Sequence, residues 1–225
     1  MARIPDRGPV ADIGTGDGQL ARMLLERGQE VIATEWNEGA YRRARARLGP
    51  WVRRGFGLTP LGEDERPFVV IAGMGGKLVL RILLQDRPTR YPGILVQPTN
   101  AVHLLRLAQE RLQLTIADEG YIALGRRRVS WIRLAPGPPV PVDTLTAWLG
   151  PRCLLRRDPL ALAEARALYA RWQKIQAQAG DRLDPDVKER IYRCQQLIDG
   201  WSPSPASPPS SPPSPPRRGR NPGTG

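Results

Sequence analysis

The sequence predicts an α/β fold, a parallel sheet covered by helices on both faces, followed by a C-terminal α-helical hairpin. Short apolar runs alternate with helical patterns up to about residue 111, which is the element order that builds a parallel sheet. Two closely spaced strand patterns come next, and two amphipathic helical patterns follow a proline-rich stretch. A chain of 225 residues is long enough for one medium-sized domain and an appendage.

Five apolar runs in the first half predict strands, and the segments between them have helical periodicity. We expect strands near residues 10–13, 30–34, 51–54, 68–72 and 94–97, and helices near 19–27, 38–48, 76–84 and 102–111. Two further strand patterns, 114–124 and 128–134, are separated only by a short turn at Gly125. Their closeness predicts an antiparallel pair at the end of the sheet.

The prolines of 135–141 exclude a helix or a central strand there and mark a domain boundary. Beyond it, Asp158-Pro159 and Asp184-Pro185 each predict an N-cap followed by proline in the first turn. Apolar residues spaced by four and three predict two helices packed along a seam, formed by Ala161, Ala165, Leu168, Trp172, Ile175 and Ala179 and by Val187, Ile191, Cys194 and Ile198. We therefore expect a first domain over 1–141, a helical domain over 142–200, and a disordered Pro/Ser/Arg tail over 201–225.

The most informative motif is residues 11–18, Ala-Asp-Ile-Gly-Thr-Gly-Asp-Gly, where an apolar strand meets a glycine-rich turn and then a helix. The glycines let backbone approach a ligand closely, and the helix start offers free N–H donors. The glycine spacing differs from the G-x-G-x-x-G dinucleotide fingerprint, and Asp12 suits a ligand with an ammonium group rather than a diphosphate. Glu35 ends the second strand about twenty residues on, where an acidic side chain can accept hydrogen bonds from a ribose diol. These residues favour S-adenosylmethionine (SAM); another nucleotide is the alternative.

A second strand-to-glycine turn lies at residues 69–76, Val-Val-Ile-Ala-Gly-Met-Gly-Gly. In a doubly wound sheet this turn lies beside the ligand crevice. Met74 either packs against a flat base or fills core space, and Gln97 either reads a base edge or simply ends its strand. The turn is not a P-loop, because its glycines and lysine lack the G-x-x-x-x-G-K-[ST] spacing.

Charge and composition narrow the class of partner. The formal net charge is +12, from 34 Lys and Arg against 22 Asp and Glu, which favours nucleic acid, although only three of the basic residues are lysines and such a bias also arises in GC-rich genomes. Two cysteines do not make a disulfide framework or a metal site. With neither an apolar signal core nor a membrane-length run, we expect a cytoplasmic monomer without metal, and His103 on a helix surface.

Three segments, in this order and spacing, resemble the bacterial tRNA (adenine-N1)-methyltransferases acting at position 22, the TrmK family. They are Ala11-Asp12-Ile13-Gly14, the turn Ile-Ala-Gly-Met-Gly-Gly over 71–76, and Leu95-Val96-Gln97-Pro98. Asp118-Glu119 and Gly150-Pro151 fit as well, so the resemblance covers about residues 9–200. It implies a Rossmann-like class I SAM-dependent methyltransferase domain, SAM as methyl donor, and a C-terminal helical domain that helps bind tRNA.

The sequence departs from that family at three places. Gly16 stands where the family has an aspartate, and Phe56 stands where the family has the aspartate that contacts the adenine of SAM. Only residues 1–9 precede the first strand, where the family has a helical segment, so we expect a reduced cover over SAM or a start further upstream. These departures leave two alternatives: an RNA-binding protein of the same fold with lost or altered methylation, or a SAM-dependent methyltransferase with a different substrate.

The resemblance and the residues together predict three sets of site residues. The predicted transfer centre consists of Asp17, Met74 and Gln97, with Asp17 stabilising the cationic product base. The predicted SAM site consists of Asp12, Gly14, Gly16, Glu35, Trp36, Gly55, Phe56, Gly57, Ala72 and Gly73. The predicted phosphate contacts to tRNA are Arg126, Arg127, Arg128, Arg152, Arg156 and Arg157, each of which could equally be a solvated charge.

Overall fold

The computed structural model describes residues 4–125 and 127–201. Arg126 and, apart from residue 201, the tail predicted over 201–225 lie outside the described residues. Within the described part, the strands are β1 (Val10–Ile13), β2 (Val31–Glu35), β3 (Val52–Arg54), β4 (Phe68–Met74), β5 (Ile94–Pro98), β6 (Leu114–Leu124) and β7 (Arg127–Pro136). The α-helices are α1 (Gln19–Leu25), α2 (Glu38–Leu48), α3 (Gly76–Leu84), α4 (Val102–Leu107), α5 (Gln109–Leu112), α6 (Thr144–Leu149), α7 (Pro151–Leu155), α8 (Pro159–Ala179) and α9 (Pro185–Asp199).

The strands form one mixed sheet in the order β3-β2-β1-β4-β5-β7-β6. β1 to β5 are parallel to one another, and β7 pairs antiparallel with both β5 and β6. The predicted class is confirmed: a Rossmann-like parallel sheet that ends in an antiparallel pair. The chain order reverses between β1 and β4, and ligands of open α/β sheets bind at such a switch point.

Alternating side chains of the central strands build two separate cores, because successive residues of a strand point to opposite faces. Val10 packs with Ala21 of α1 and Ala44 of α2 on one face. On the other face, Ala11 belongs to a cluster that includes Val79 of α3. Both faces of the sheet are therefore covered, as the near-continuous apolar runs predict.

The C-terminal helices have a third apolar cluster of their own. It joins Leu149 of α6 to Leu168 and Trp172 of α8 and to Ile191 and Cys194 of α9. Asp158 and Asp184 cap α8 and α9 as predicted, accepting hydrogen bonds from Leu160 N and Asp186 N at 2.8 Å. The predicted seam is buried from Ala161 to Trp172, whereas Ile175 is 42% exposed.

The differences from the predicted elements are local. The helix predicted over 102–111 divides into α4 and α5 at Ala108, and α6 and α7 precede the predicted hairpin. Both of the latter are short, six and five residues, and too brief for a clear periodic pattern. None of the helices in the described ranges is long and apolar enough to cross a membrane.

Candidate active site

The carboxyl ends of β1, β2, β4 and β5 meet along one edge of the sheet. The turns that follow them contain Gly14, Trp36, Gly75 and Thr99. Backbone hydrogen bonds tie these turns together: Thr15 N donates to Thr34 O at 2.9 Å. This edge spans the switch point between β1 and β4 and contains most of the predicted cofactor residues.

Glu35 is an acidic side chain of this edge that two backbone donors hold in place. Its Oε2 accepts from Gly16 N at 2.9 Å and its Oε1 accepts from Asn37 N at 2.7 Å, while the residue is only 8% exposed. Two backbone donors fix the plane of the carboxylate, and each oxygen keeps a lone pair for another donor. Each oxygen of Glu35 can therefore accept one further hydrogen bond.

A cavity of about 190 Å³ lies beside Glu35. It is small, since drug-sized ligands occupy sites of roughly 300–1,000 Å³. The side chain of Met74 lies over Gly14 and occupies the space that any Cβ at residue 14 would need. The glycine and the methionine together close one end of the cavity, and methionine is flexible enough to move.

Phe56 and Trp36 form the aromatic wall of this cavity. Their rings meet edge to face, with centroids 6.1 Å apart, and the guanidinium of Arg81 lies over Phe56 at 4.9 Å from its centroid. One face of Phe56 is therefore occupied, whereas Trp36 is 66% exposed. Gly57 has no room for a side chain here, because its Cβ would lie 2.8 Å from Ile82.

Asp12 contacts the glycine-rich turn and is not among the residues that line the cavity. Its Oδ2 accepts from Thr15 Oγ1 at 2.6 Å, and the residue is 5% exposed. Burial raises the pKa of Asp12 to about 6, against the lowering effect of the Thr15 hydrogen bond. Asp12 therefore shapes the glycine-rich turn from behind, and its charge is sensitive to pH.

The turns after β4 and β5 are bound directly to each other. Gln97 Oε1 accepts from Gly73 N at 3.2 Å, and Thr99 N donates to Met74 O at 2.8 Å. A Cβ on Gly76 would lie 2.6 Å from the carbonyl oxygen of Ala101, so only glycine fits there. The turns that carry Met74 and Gln97 are thus adjacent.

Asn100 is a residue of this site that the sequence did not single out. Its Oδ1 accepts from Gly76 N at 3.3 Å, and it lies next to Ala101, whose φ of 49° is unusual for a residue with a side chain. The dipeptide Thr99-Asn100 after Pro98 was the available signal, since polar residues at the carboxyl end of a central strand often face a ligand.

Asp17 is not brought to this pair. Its carboxylate lies 3.4 Å from the guanidinium of Arg47, which also donates to the carbonyl oxygen of Asp17 at 2.7 Å. A backbone hydrogen bond is the main cause that lowers the pKa of Asp17. Because α2 packs against β2 and β3, these contacts hold Asp17 on the opposite side of β1 from Met74 and Gln97.

Several of the arginines predicted to contact phosphate form ion pairs or hydrogen bonds within the protein. Arg156 pairs with Asp118 at 2.6 Å, and Arg128 pairs with Glu164 at 2.9 Å. Arg152 donates to the carbonyl oxygen of Ile116 at 3.1 Å, and its backbone N–H donates to Glu119. Arg157 has a φ of 51° in the turn before α8. Arg127 is exposed.

His103 is half-buried rather than on an open helix surface. Its ring stacks on Trp148 with centroids 4.0 Å apart and planes 15° apart. Both rings line a cleft of about 980 Å³ that extends from Gln97 to Arg171 of α8. This contact joins residues 45 positions apart, so no local pattern in the sequence indicates it.

These features define a Rossmann-like methyltransferase fold with a C-terminal helical hairpin. Residues 1–129 match the model of the methyltransferase domain family, and the chain belongs to that family.

The chain is also similar to particular proteins. The tRNA (adenine(22)-N(1))-methyltransferase of Bacillus subtilis (strain 168) is 31% identical over 113 residues, which is 45% of this chain and 48% of that protein, so the match spans about half the relative's length. The crystal structure of B. subtilis TrmK superimposes with a TM-score of 0.72 at 19% identity, covering 88% of this chain and 92% of the other. M. capricolum TrmK, in complex with S-adenosyl-homocysteine, gives a TM-score of 0.72 at 18% identity over 87% and 93%. The predicted resemblance is confirmed, and at these identities the structures support the fold.

Proposed function

We propose that this protein transfers a methyl group from SAM to N1 of adenine 22 in tRNA. The observation that carries the proposal is the carboxylate of Glu35, aligned by Gly16 N and Asn37 N at the wall of the cavity beside Met74. The similarity to the B. subtilis enzyme supports the substrate. A tRNA-modifying activity also favours the cytoplasm, and the proposal keeps the monomer without metal as expectations from the sequence.

The residues present fit SAM. The free lone pairs of Glu35 match the two hydroxyls of a ribose, and Trp36 and Phe56 offer apolar rings for an adenine. Open space surrounds Gly16 and Gly73, where a Cβ would meet no atom within 4 Å. No phosphate-binding lysine or arginine lines the cavity among the described residues, which agrees with a ligand that lacks phosphate. Movement of Met74 from above Gly14 would lengthen the cavity.

The chemistry divides simply between ligand and protein. Bound SAM supplies an electrophilic methyl group, and adenine N1 is unprotonated at neutral pH, so no general base is required. The protein's task is to hold the two reactants in line. Gln97 suits the acceptor side, because its Oε1 and Nε2 each keep hydrogen-bonding capacity after binding Gly73 N and Pro98 O. Ala72, Gly73 and Met74 border the same space.

Asp17 is not part of the transfer centre in this proposal. Its pairing with Arg47 leaves stabilisation of the cationic product base to the carbonyl groups of the β4 and β5 turns and to Gln97. Adenine N1 is buried in a base pair, so the target base has to be unpaired or turned out of its helix.

The division into a catalytic domain over 1–141 and a helical domain over 142–200 belongs to the same proposal. It is supported by the separate apolar cluster of α6, α8 and α9. The second domain would extend the surface available to tRNA beyond the carboxyl edge of the sheet.

Bulk tRNA and SAM labelled in its methyl group test the function. After incubation and digestion to nucleosides, we expect the label in 1-methyladenosine. A tRNA transcript with adenine at position 22 should be labelled, and the matched transcript with guanine there should not. Label in another nucleoside, or equal labelling of both transcripts, would contradict the assignment.

The second candidate is an RNA-binding protein of this fold that has lost methylation. Phe56 favours it. This side chain lines the cavity at the place of the family's aspartate, and it cannot accept a hydrogen bond from the adenine amino group. Calorimetry with SAM decides between the two. Micromolar binding supports the enzyme, and failure to bind SAM together with retained tRNA binding supports the second candidate.

A further inference from the structure

The cleft that runs from Gln97 to Arg171 has the chemistry of a nucleic-acid site. Its volume of about 980 Å³ is at the upper end for sites that bind drug-sized ligands. One end begins at Gln97 and Thr99 beside the β4–β5 turns, and the other lies between the β6–β7 pair and α8. It therefore leads away from the proposed transfer centre towards the helical domain.

The floor of the cleft is aromatic. His103 and Trp148 stack at 4.0 Å, and Trp172 meets Trp148 edge to face at 5.8 Å. Burial, with the nearby Arg106 and Arg190, lowers the pKa of His103, so its ring is neutral at pH 7.

The imidazole of His103 has a buried polar atom that the described residues leave without a partner. Its Nδ1 is buried and has no hydrogen-bond partner within the described part of the chain, and burial of a polar atom without a partner is unfavourable. Packing within the protein therefore does not account for the polar Nδ1 of this ring, whereas the flat face of the ring is what a base would contact.

The rim of the cleft is positively charged. It carries three arginines, Arg127, Arg128 and Arg171, and one glutamate, Glu164. Glu164 pairs with Arg128, whereas Arg127 and Arg171 form no ion pair with a carboxylate of the described residues, and both are exposed. Arg171 lies over Trp148, 5.8 Å from its ring centroid. Two exposed guanidinium groups therefore line the cleft and are available to phosphates, one of them next to Trp148.

We propose that this cleft binds a single-stranded RNA segment adjoining the target adenosine, with one base against the His103–Trp148 pair and the backbone phosphates against Arg127 and Arg171. This inference rests on the proposed function for the identity of the neighbouring nucleotide. Aromatic rings beneath basic side chains are the usual means of holding unpaired RNA, because every base has a π-face. A perfect duplex keeps its bases stacked and cannot use the floor of the cleft.

Binding of a fluorescein-labelled single-stranded RNA to the full chain, without SAM, tests the arginines. The double variant Arg127→Gln/Arg171→Gln should raise the Kd about tenfold at physiological ionic strength. It should also flatten the dependence of log K on log salt by about 1.4, since each phosphate contact to a single strand contributes about 0.7. Arg166→Gln is the control, because Arg166 is exposed on the same helix and does not line the cleft. A double variant with the Kd and salt slope of Arg166→Gln would overturn the proposal.

A second pair of variants tests the floor. His103→Ala should weaken single-strand binding fivefold or more, since base–aromatic stacking is worth about 1–3 kcal/mol, and His103→Phe should restore it. A blunt RNA duplex of the same length should bind more weakly, and its affinity should not change in His103→Ala. If His103→Phe binds as weakly as His103→Ala, or if the duplex responds equally, the single-stranded assignment is wrong.

The test of the cleft can succeed or fail independently of the test of the proposed methylation. If wild-type protein binds single-stranded RNA through these residues but does not methylate tRNA, the cleft stands and the proposed reaction fails. If tRNA is methylated normally while the cleft variants bind and react like wild type, the reaction stands and the cleft proposal fails.

Discussion

Arg106 and Glu119 form a completely buried ion pair, with Arg106 Nε 2.7 Å from Glu119 Oε2. Arg106 Nη1 also donates to the carbonyl oxygens of Ala147 and Trp148 at the end of α6, at 2.7 and 2.9 Å. Glu119 Oε1 accepts from Arg152 N in the first turn of α7 at 2.8 Å. One pair of side chains from α4 and β6 thus holds both α6 and α7, the two short helices that precede the α8–α9 hairpin.

The first prediction concerns this pair. Arg106→Met or Glu119→Gln alone should lower the free energy of unfolding by about 3–5 kcal/mol, because each leaves a buried charge without its partner. The double variant should lose less than the sum of the two. Urea denaturation of the four proteins measures the coupling, and strictly additive losses would contradict it.

Glu35→Gln should weaken SAM binding about a hundredfold. The carboxylate accepts from Gly16 N and Asn37 N, and an amide NH₂ group would face one of these donors while offering one acceptor fewer to the ribose. Hydrogen bonds to charged groups are worth about 1.5–3 kcal/mol each. Calorimetry measures the change, with the exposed Glu30→Gln as control; affinity within threefold of wild type in Glu35→Gln would refute the role.

Asp12 should make the stability depend on pH in a definite direction. Its pKa is about 6 in the folded protein and about 4 in an unfolded chain. The folded state therefore keeps the proton longer, so the stabilisation is complete below about pH 4 and is lost as the pH rises through about 6. Asp12→Asn should thus be more stable than wild type at pH 8, by about 2–3 kcal/mol.

The measurement for Asp12 is chemical denaturation at pH 4 and at pH 8. The difference in stability between wild type and Asp12→Asn should grow with pH, whereas the difference for the exposed Asp64→Asn should stay near zero. A gap between wild type and Asp12→Asn that is constant with pH would show that burial does not raise the pKa of Asp12.

Met74→Ala should separate cofactor binding from turnover. Removing the side chain that lies over Gly14 lengthens the cavity, so SAM should bind at least as tightly as to wild type. Loss of the surface beside Gln97 should lower kcat for tRNA about tenfold, because positioning supplies much of the acceleration. Met23→Ala, at an exposed methionine of α1, is the control. If Met74→Ala loses SAM affinity but keeps kcat, Met74 contributes to SAM binding and not to positioning of the tRNA.

The fold was predictable because its signals are local. The apolar runs of β1, β2 and β4 lie within one or two residues of their predicted ends, and the Asp-Pro pairs gave the starts of α8 and α9. Each of these signals depends on residues within a few positions of one another. The division at Ala108 and the brief helices α6 and α7 were missed because periodicity needs several turns.

The site was predictable only in part, because its contacts join distant segments. Met74 and Gln97 lie on adjacent strand ends because β4 and β5 pair in parallel, with Ala72 opposite Gln97 and Met74 opposite Pro98. Asp17 was assigned to the same centre from its place in a motif, but a partner 30 residues away, Arg47, determines where its carboxylate points. Sequence alone likewise does not distinguish Arg156, which pairs with Asp118, from Arg171, which lines the cleft.

The ion pair of Arg106 and Glu119 also limits how this protein can be recombined with its relatives. Its two charged members lie before the proposed domain boundary at residue 141, while the carbonyl and amide groups that complete it come from Ala147, Trp148 and Arg152 beyond that residue. Gly150, between α6 and α7, leaves no room for a side chain, since a Cβ there would lie 2.8 Å from Glu119 Oε2. A chimera that takes its helical segment from a relative therefore needs a glycine at the position of Gly150. A larger residue there would clash with Glu119 and prevent the new segment from packing against β6.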